Sequence, residues 1–219
     1  MTITTQANIL ATAIGPHLFW ITSRAAGIAA LLLSSLSVCL GLLMGRSIIK
    51  GRRADMRVAH EALSLATLAA IVVHGLTLLG DGYLNPSLGD LMVPFLSGYK
   101  TFWTSIGIVS FWMLAALGLS YYARTRIGVQ RWRALHRFTA LAWVLGLAHS
   151  LGEGTDAGQT WFLAMTAIVA VPAIGLLVTR FSRTSEAHSA TSQAAPARLP
   201  HSSRRLSGTA LPPARLERP

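Results

Sequence analysis

Acidic side chains are scarce in this chain: eight Asp and Glu stand against nineteen Lys and Arg in 219 residues. Charge of either sign is thin, at 12% of residues, about half of what a soluble domain carries. That excludes an ordinary water-soluble globule and points to a membrane protein, long enough for one bundle of a few helices. Cysteine is nearly absent. Cys39 stands alone in an apolar run, so an internal disulfide is excluded and the thiol reads as a small hydrophobe. No G-x-G-x-x-G fingerprint occurs, which removes the usual sign of a dinucleotide-binding unit. The first 16 residues hold no Lys or Arg, which argues against the basic start of a secretory signal. Residues 1–18 are expected to form a short external arm.

What the chain has in quantity is apolar length. Five runs are each long enough for a bilayer core: 19–45, 57–80, 102–122, 134–152 and 160–179. Pro172 lies inside the last and is expected to kink it. The fold class is therefore all-α, a polytopic membrane bundle of five transmembrane helices over residues 19–180.

The basic residues lie in short loops and in the tail. RSIIKGRRADMR (46–57) has five bases and one acid, and ARTRIGVQRWR (123–133) has four bases and no acid. On the other side, residues 81–100 have one Lys and two Asp, and LGEGTDAGQ (151–159) has two acids and no base. By the inside-positive rule the basic loops face the cytoplasm, which puts the N-terminus outside and the C-terminus inside. This is a topology signal and not a nucleic-acid face, and no nucleic-acid motif accompanies it. Within 81–100 the apolar LMVPFL is too short to span, and it reads as a lid over the bundle mouth or as a linker. Residues 181–219 are rich in Ser, Ala, Pro and Arg without a periodic apolar face, and a disordered cytoplasmic tail is expected.

Four histidines carry the chemistry. His60 and His74 lie 14 apart on the second span, and His136 and His149 lie 13 apart on the fourth. Imidazoles inside a membrane are costly and mark sites. The two spans run in the same direction, and at about 1.5 Å per residue both spacings cover about 20 Å. His60 thus meets His136 at the cytoplasmic level, and His74 meets His149 at the external level. Two opposed imidazoles with no acid or thiolate beside them suit a six-coordinate haem iron. Two such layers form a ladder for single electrons. A zinc site would need about four ligands converging at one point. A proton relay would call for acids, and the spans offer only Glu61. The plain alternative is that Ser and Thr side chains of neighbouring helices satisfy the imidazoles. At about 100° per residue, 14 steps leave His74 within about 40° of His60, but 13 steps leave His149 about 140° from His136. Supercoiling or a local distortion, for example around Gly146, must help, or the haems must be offset.

Arg24 lies in the first span near its external end and needs a counter-charge, which a propionate of the outer haem would supply. His17 is a weaker candidate nearby. Arg133 and Arg137 flank His136 and are candidates for the inner propionates. Glu61 could pair with Arg57 or Arg137, or meet a partner. Small residues such as Gly27, Ala30, Ala66, Gly75 and Gly146 allow close helix approach. Trp20, Trp103, Trp132 and Trp161 read as an interfacial belt.

His-x13-His in VAHEALSLATLAAIVVHG, His-x12-His in WRALHRFTALAWVLGLAHS, W-R-x-L-H-R at 132–137 and S-R-A-A-G at 23–27 together resemble the ferric reductase-like transmembrane domain family. That superfamily includes ferric reductases, NADPH oxidase membrane domains and the haem-binding subunit of bacterial methionine sulfoxide reductase. The resemblance covers roughly residues 19–180. It implies two haem b groups, the cytoplasm-side one on His60 and His136 and the outer one on His74 and His149. It also implies electron transfer across a bacterial cell membrane to an external acceptor or partner protein. Only 39 residues follow Arg180, too few for the flavin and nicotinamide domain of the larger relatives. The expected donor is therefore a redox partner protein or a membrane quinol, with a bound flavin also open. Whether the chain is itself an enzyme or a membrane subunit of an oxidoreductase stays open. A haemless structural or sensory subunit and a small transporter are the competing functions.

Overall fold

The computed structural model describes the backbone of residues 3–45 and 52–193. Eight helices appear there: α1 (Ile3–Gly45), α2 (Arg53–Leu78), α3 (Leu88–Met92), α4 (Thr101–Leu119), α5 (Arg124–Ile127), α6 (Val129–His136), α7 (Thr139–Glu153) and α8 (Thr160–Gln193). The chain divides into two compact units, 1–181 and 182–219. Of the second, only the helical residues 182–193 are described.

Within the first unit, α1 packs along α2 and α4 along α7, with lesser contacts between α1 and α7 and between α2 and α4. The order around the bundle is therefore α1, α2, α4, α7. The helices that carry His60, His74 and His149, α2 and α7, stand on a diagonal, while His136 ends α6 just before α7. Trp143 of α7 is fully buried and packs with Ala170 and Ala173 of α8 and Val38 and Cys39 of α1. Its indole N–H donates to Ser35 Oγ at 3.1 Å.

Four helical stretches among the described residues are long and apolar enough to cross a membrane: 17–45, 53–78, 101–119 and 160–180. Large apolar side chains such as Val58, Phe102, Ile168 and Val171 are exposed along them, as a lipid-facing surface requires. The protein is an all-α, multi-span membrane bundle.

The expected span 134–152 is not one helix. It is split into α6 and α7 by a turn at Arg137 and Phe138. The Phe138 N–H donates to Leu135 O at 3.0 Å and the Ala140 N–H to Arg137 O at 3.3 Å, so the chain tightens to three residues per turn. The 15 residues of α7 reach only about 22 Å, against about 30 Å for a hydrocarbon core. The tightening has the sense that the histidine spacing needs. Each residue wound at about 120° instead of 100° recovers about 20° of the missing rotation. The distortion lies here and not at Gly146, which sits inside regular α7.

Both end segments are helical where they are described. Residues 3–18, the expected arm, are part of α1. The expected disordered tail begins as helix, because α8 runs through Pro172 without a break and on to Gln193. Residues 194–219 and 46–51 of the basic loop lie outside the described residues.

Candidate functional site

The four histidines come together in two pairs. The ring centres of His60 and His136 are 6.2 Å apart with planes at 85°. Those of His74 and His149 are 6.4 Å apart with planes at 74°. Among the described residues no three His, Cys, Asp or Glu side chains converge on one point, so the arrangement is one of opposed couples.

Three of the rings have their Nδ1 atom tied to backbone. His60 Nδ1 lies 3.0 Å from Ser37 O, His74 Nδ1 2.8 Å from Ser23 O, and His149 Nδ1 2.9 Å from Trp103 O. A carbonyl oxygen only accepts, so Nδ1 must carry the proton. In the neutral ring that leaves the Nε2 lone pair free. Ser23 and Ser37 hydroxyls also approach their rings, at 3.0 and 3.1 Å. Hydroxyl partners between helices thus do exist, but they engage Nδ1 alone. The fourth ring, His136, is approached by the Leu117 carbonyl, without a hydrogen bond of normal geometry at its buried Nδ1.

Glycines on the neighbouring helices make these approaches possible. A Cβ at Gly27 would stand 3.1 Å from His74 Nδ1, at Gly41 3.2 Å from His60 Cε1, and at Gly107 2.6 Å from His149 Nδ1. In each case the glycine follows the accepting carbonyl by four residues, one helical turn. The sequence carries the signal on the first helix as a repeated Ser-x3-Gly, at 23–27 and 37–41, with the same 14-residue step as His60 and His74.

A cavity of about 1300 Å³ lies at the end of the bundle that carries the acidic loops. His74, His149, Gly27 and Gly107 line it, Trp143 forms part of its wall, and His60 and His136 do not reach it. The segment 81–100 covers this cavity with Leu84, Leu88, Leu91, Met92 and Tyr99. It is held there by bonds from Trp112 Nε1 to Met92 O at 2.9 Å and from the Phe95 N–H to Ser105 Oγ at 2.7 Å. Among the described residues, the non-glycine positions with positive φ are Asn85, Phe95 and Lys100, all in this segment. Asparagine tolerates that conformation, while Phe95 and Lys100 carry a cost of about 1–2 kcal/mol each that tertiary contacts must offset. Lys100 Nζ donates to the terminal α7 carbonyls of Gly152 and Glu153 at 3.2 and 3.3 Å.

Arg24 finds its counter-charge within the chain. Its guanidinium makes a two-pronged bond to the Asp156 carboxylate and lies 5.1 Å over the Trp20 ring. Asp156 is buried, and both residues line the cavity, whose rim also includes exposed His17. The sequence reading missed Asp156, Glu153, Asp81 and Trp143 as lining residues. At the other end Arg133 and Arg137 are exposed beside His136. Glu61 pairs with neither Arg57 nor Arg137; its Oε1 accepts from the Tyr122 hydroxyl at 2.7 Å.

Two imidazoles on opposite faces of one metal ion have ring centres about 6.4 Å apart, from about 2 Å per metal–nitrogen bond and about 1.2 Å from ring centre to nitrogen. The ring centres of the two pairs stand 6.2 and 6.4 Å apart, and three of the rings have Nδ1 held by a backbone carbonyl.

Fold and site define a multi-span helical membrane protein built around two opposed imidazole couples. The chain belongs to a redox-related family: the model described as ferric reductase like transmembrane component matches residues 26–147, more than half of the chain. The match takes in His60, His74 and His136 and ends just short of His149. No curated protein and no solved structure matches the chain.

Proposed function

We propose that the protein binds two haem b groups, one between His60 and His136 and one between His74 and His149, and passes electrons across the membrane between them. The observation that carries this reading is the pair of ring-centre distances, 6.2 and 6.4 Å, at the two levels of the bundle. When bound, each iron porphyrin supplies a one-electron couple whose potential the axial ligands tune. The chain's own residues do the rest. The Ser23, Ser37 and Trp103 carbonyls orient three imidazoles and raise their basicity, and the segment 81–100 shields the acidic-end pair from water. Arg24, on the wall of the acidic-end cavity, is assigned to a propionate there in company with Asp156. Arg137, next to His136, is assigned to a propionate at the basic end.

In this reading the basic loops face the cytoplasm of a bacterial cell, with the His60–His136 level on that side and five crossings, α6 and α7 together completing the fourth; the inside-positive pattern supports it. Electrons enter from a partner protein or a membrane quinol, with a bound flavin a further route. They leave to an external acceptor, so the chain acts as the membrane subunit of an oxidoreductase. The test is the absorption spectrum of the purified protein with haem stoichiometry. Two b-type haems per chain support the reading, and a haem-free, folded protein overturns it in favour of a structural or sensory subunit.

A further inference from the structure

A groove of about 520 Å³ opens on the outside of the bundle, along α4. Val109, Trp112, Met113, Ala116 and Leu117 line it, at the i, i+3, i+4, i+7 and i+8 steps of one helical face. Phe138, from the turn between α6 and α7, and Pro94, from the segment 81–100, complete the wall. The Ser110 hydroxyl donates to Ala142 O at 2.8 Å, so Phe138, one turn before Ala142, stands toward the basic end. Pro94 stands toward the acidic end, between the bond from Trp112 Nε1 to Met92 O and that from the Phe95 N–H to Ser105 Oγ. The eight steps from Val109 to Leu117 cover about 12 Å, close to the depth of one leaflet, about 15 Å.

The polar groups on this wall are engaged. The Trp112 N–H is taken by Met92 O and the Leu117 carbonyl by the Ser120 hydroxyl at 2.6 Å, so the groove presents apolar surface. It is a poor seat for another helix. Close helix packing in a membrane uses stripes of small residues, and here Ala116 stands among Trp112, Met113, Leu117 and Phe138. The segment 81–100 covers α4 beyond the acidic end of the groove, so a chain lying along the groove comes from the leaflet at the basic end.

That end carries cations without carboxylate partners. Arg126 of α5 and Arg131 and Arg133 of α6 are exposed, while the ion pairs among the described residues are Arg24–Asp156 and Arg52–Asp55. Glu61 is held by the Tyr122 hydroxyl. A second copy docked here about a two-fold axis along the membrane normal would bring the same arginines to the same level, where they repel.

We propose that the groove seats one acyl chain of an anionic phospholipid from the leaflet at the basic end, with its headgroup phosphate held by Arg126, Arg131 and Arg133. Lipid tails are as apolar as the groove, so the chain contact selects no lipid. Selection comes from the headgroup, through the attraction of basic residues for anionic lipid. The site is separate from both histidine couples and stands or falls without haem.

The experiment places the full chain in vesicles of phosphatidylcholine with a minor share of phosphatidylglycerol. In one arm the phosphatidylglycerol carries a mid-chain diazirine, and in the other the phosphatidylcholine does. After illumination, lipid adducts are mapped by peptide mass spectrometry. Ile168 and Val171 of α8, exposed apolar residues, serve as the ordinary lipid surface. Per mole of probe, phosphatidylglycerol is expected to label the peptide holding Val109–Leu117 about tenfold more than phosphatidylcholine does, and to label α8 equally. The triple variant Arg126→Gln/Arg131→Gln/Arg133→Gln is expected to bring the two probes to parity at the groove. Ala116→Phe, which fills the groove at an exposed position, is expected to lower labelling there by either probe. Equal labelling of the wild-type groove by the two probes would overturn the proposal, with no variant needed. So would a groove that neither probe reaches while α8 is labelled, which would mean that protein covers it. A phosphatidylglycerol preference that survives the triple variant would also overturn it.

Discussion

Each anchored imidazole divides its two nitrogens between two neighbours. Nδ1 faces a backbone carbonyl on an adjacent helix, which leaves the Nε2 lone pair free. Replacing either member of a couple should therefore empty one level and spare the other. His74→Ala and His136→Ala are each expected to retain about one haem of two, and haemochrome quantitation checks it. The glycines make a graded prediction. Gly107→Ala places its Cβ 2.6 Å from His149, against 3.1 Å for Gly27→Ala at His74. Both should perturb the acidic-end haem, and Gly107→Ala more, read as loss of its low-spin signal. The pairing of the histidines was legible from spacing alone, because two parallel helices with near-equal steps admit one matching. The Ser-x3-Gly repeat was equally present in the sequence, but its meaning depends on which helix lies alongside. The partner of Arg24 was not legible: Asp156 is 132 residues away, and only the folded bundle brings the two together.

The turn at Arg137 and Phe138 supplies part of the rotation that separates a 13-residue spacing from a 14-residue one. A straight helix aims His136 and His149 apart, and the tightened turn, at about 20° per residue, narrows that difference. Hydropathy alone merges α6 and α7 into one run, since nothing in an average registers a change of winding. The segment 81–100 was readable as a lid from its apolar centre. Its fixings were not, because Trp112 to Met92 and Lys100 to the end of α7 are tertiary bonds. Lys100→Met removes a cation from the α7 C-terminus and is expected to cost about 0.3–1 kcal/mol, seen as faster amide exchange over 149–153. Within the segment, Ser87 and Asp90 form a capping box on α3. Hydrogen bonds from the Ser87 side chain and backbone hold the Asp90 carboxyl below its ordinary range. A depressed folded pKa contributes order that is complete above the unfolded value, about 4, and is lost as pH falls through the folded one. The protection of amides 88–92, exchange corrected for its intrinsic pH dependence, should accordingly stay flat from neutral pH down to about 4 and fall only below that, while Asp90→Asn should show the lower protection at neutral pH.

For the bundle as a whole, the order α1, α2, α4, α7 matters more than the count of crossings. It puts the histidine helices on a diagonal, with a cavity between them at one end. The class of fold and the family were legible from apolar runs and histidine spacing. The diagonal arrangement was not, because it depends on which lateral contacts win. The Arg24–Asp156 pair ties α1 to the loop between α7 and α8 across this end. Asp156 is buried and the Arg24 side chain is 35% exposed. Arg24→Ala should therefore destabilise the bundle by roughly 1–3 kcal/mol, less than a fully buried pair would lose. The double variant with Asp156→Asn should recover part of that, as thermal melts in detergent would show. The most direct test of the central claim is haem stoichiometry by pyridine haemochrome on the purified full-length protein, together with its reduced-minus-oxidised spectrum. Two b-type haems per chain, with both lost in the His60→Ala/His74→Ala double variant, is the result expected. A folded wild-type protein with no haem, or haem that survives in that double variant, would contradict it.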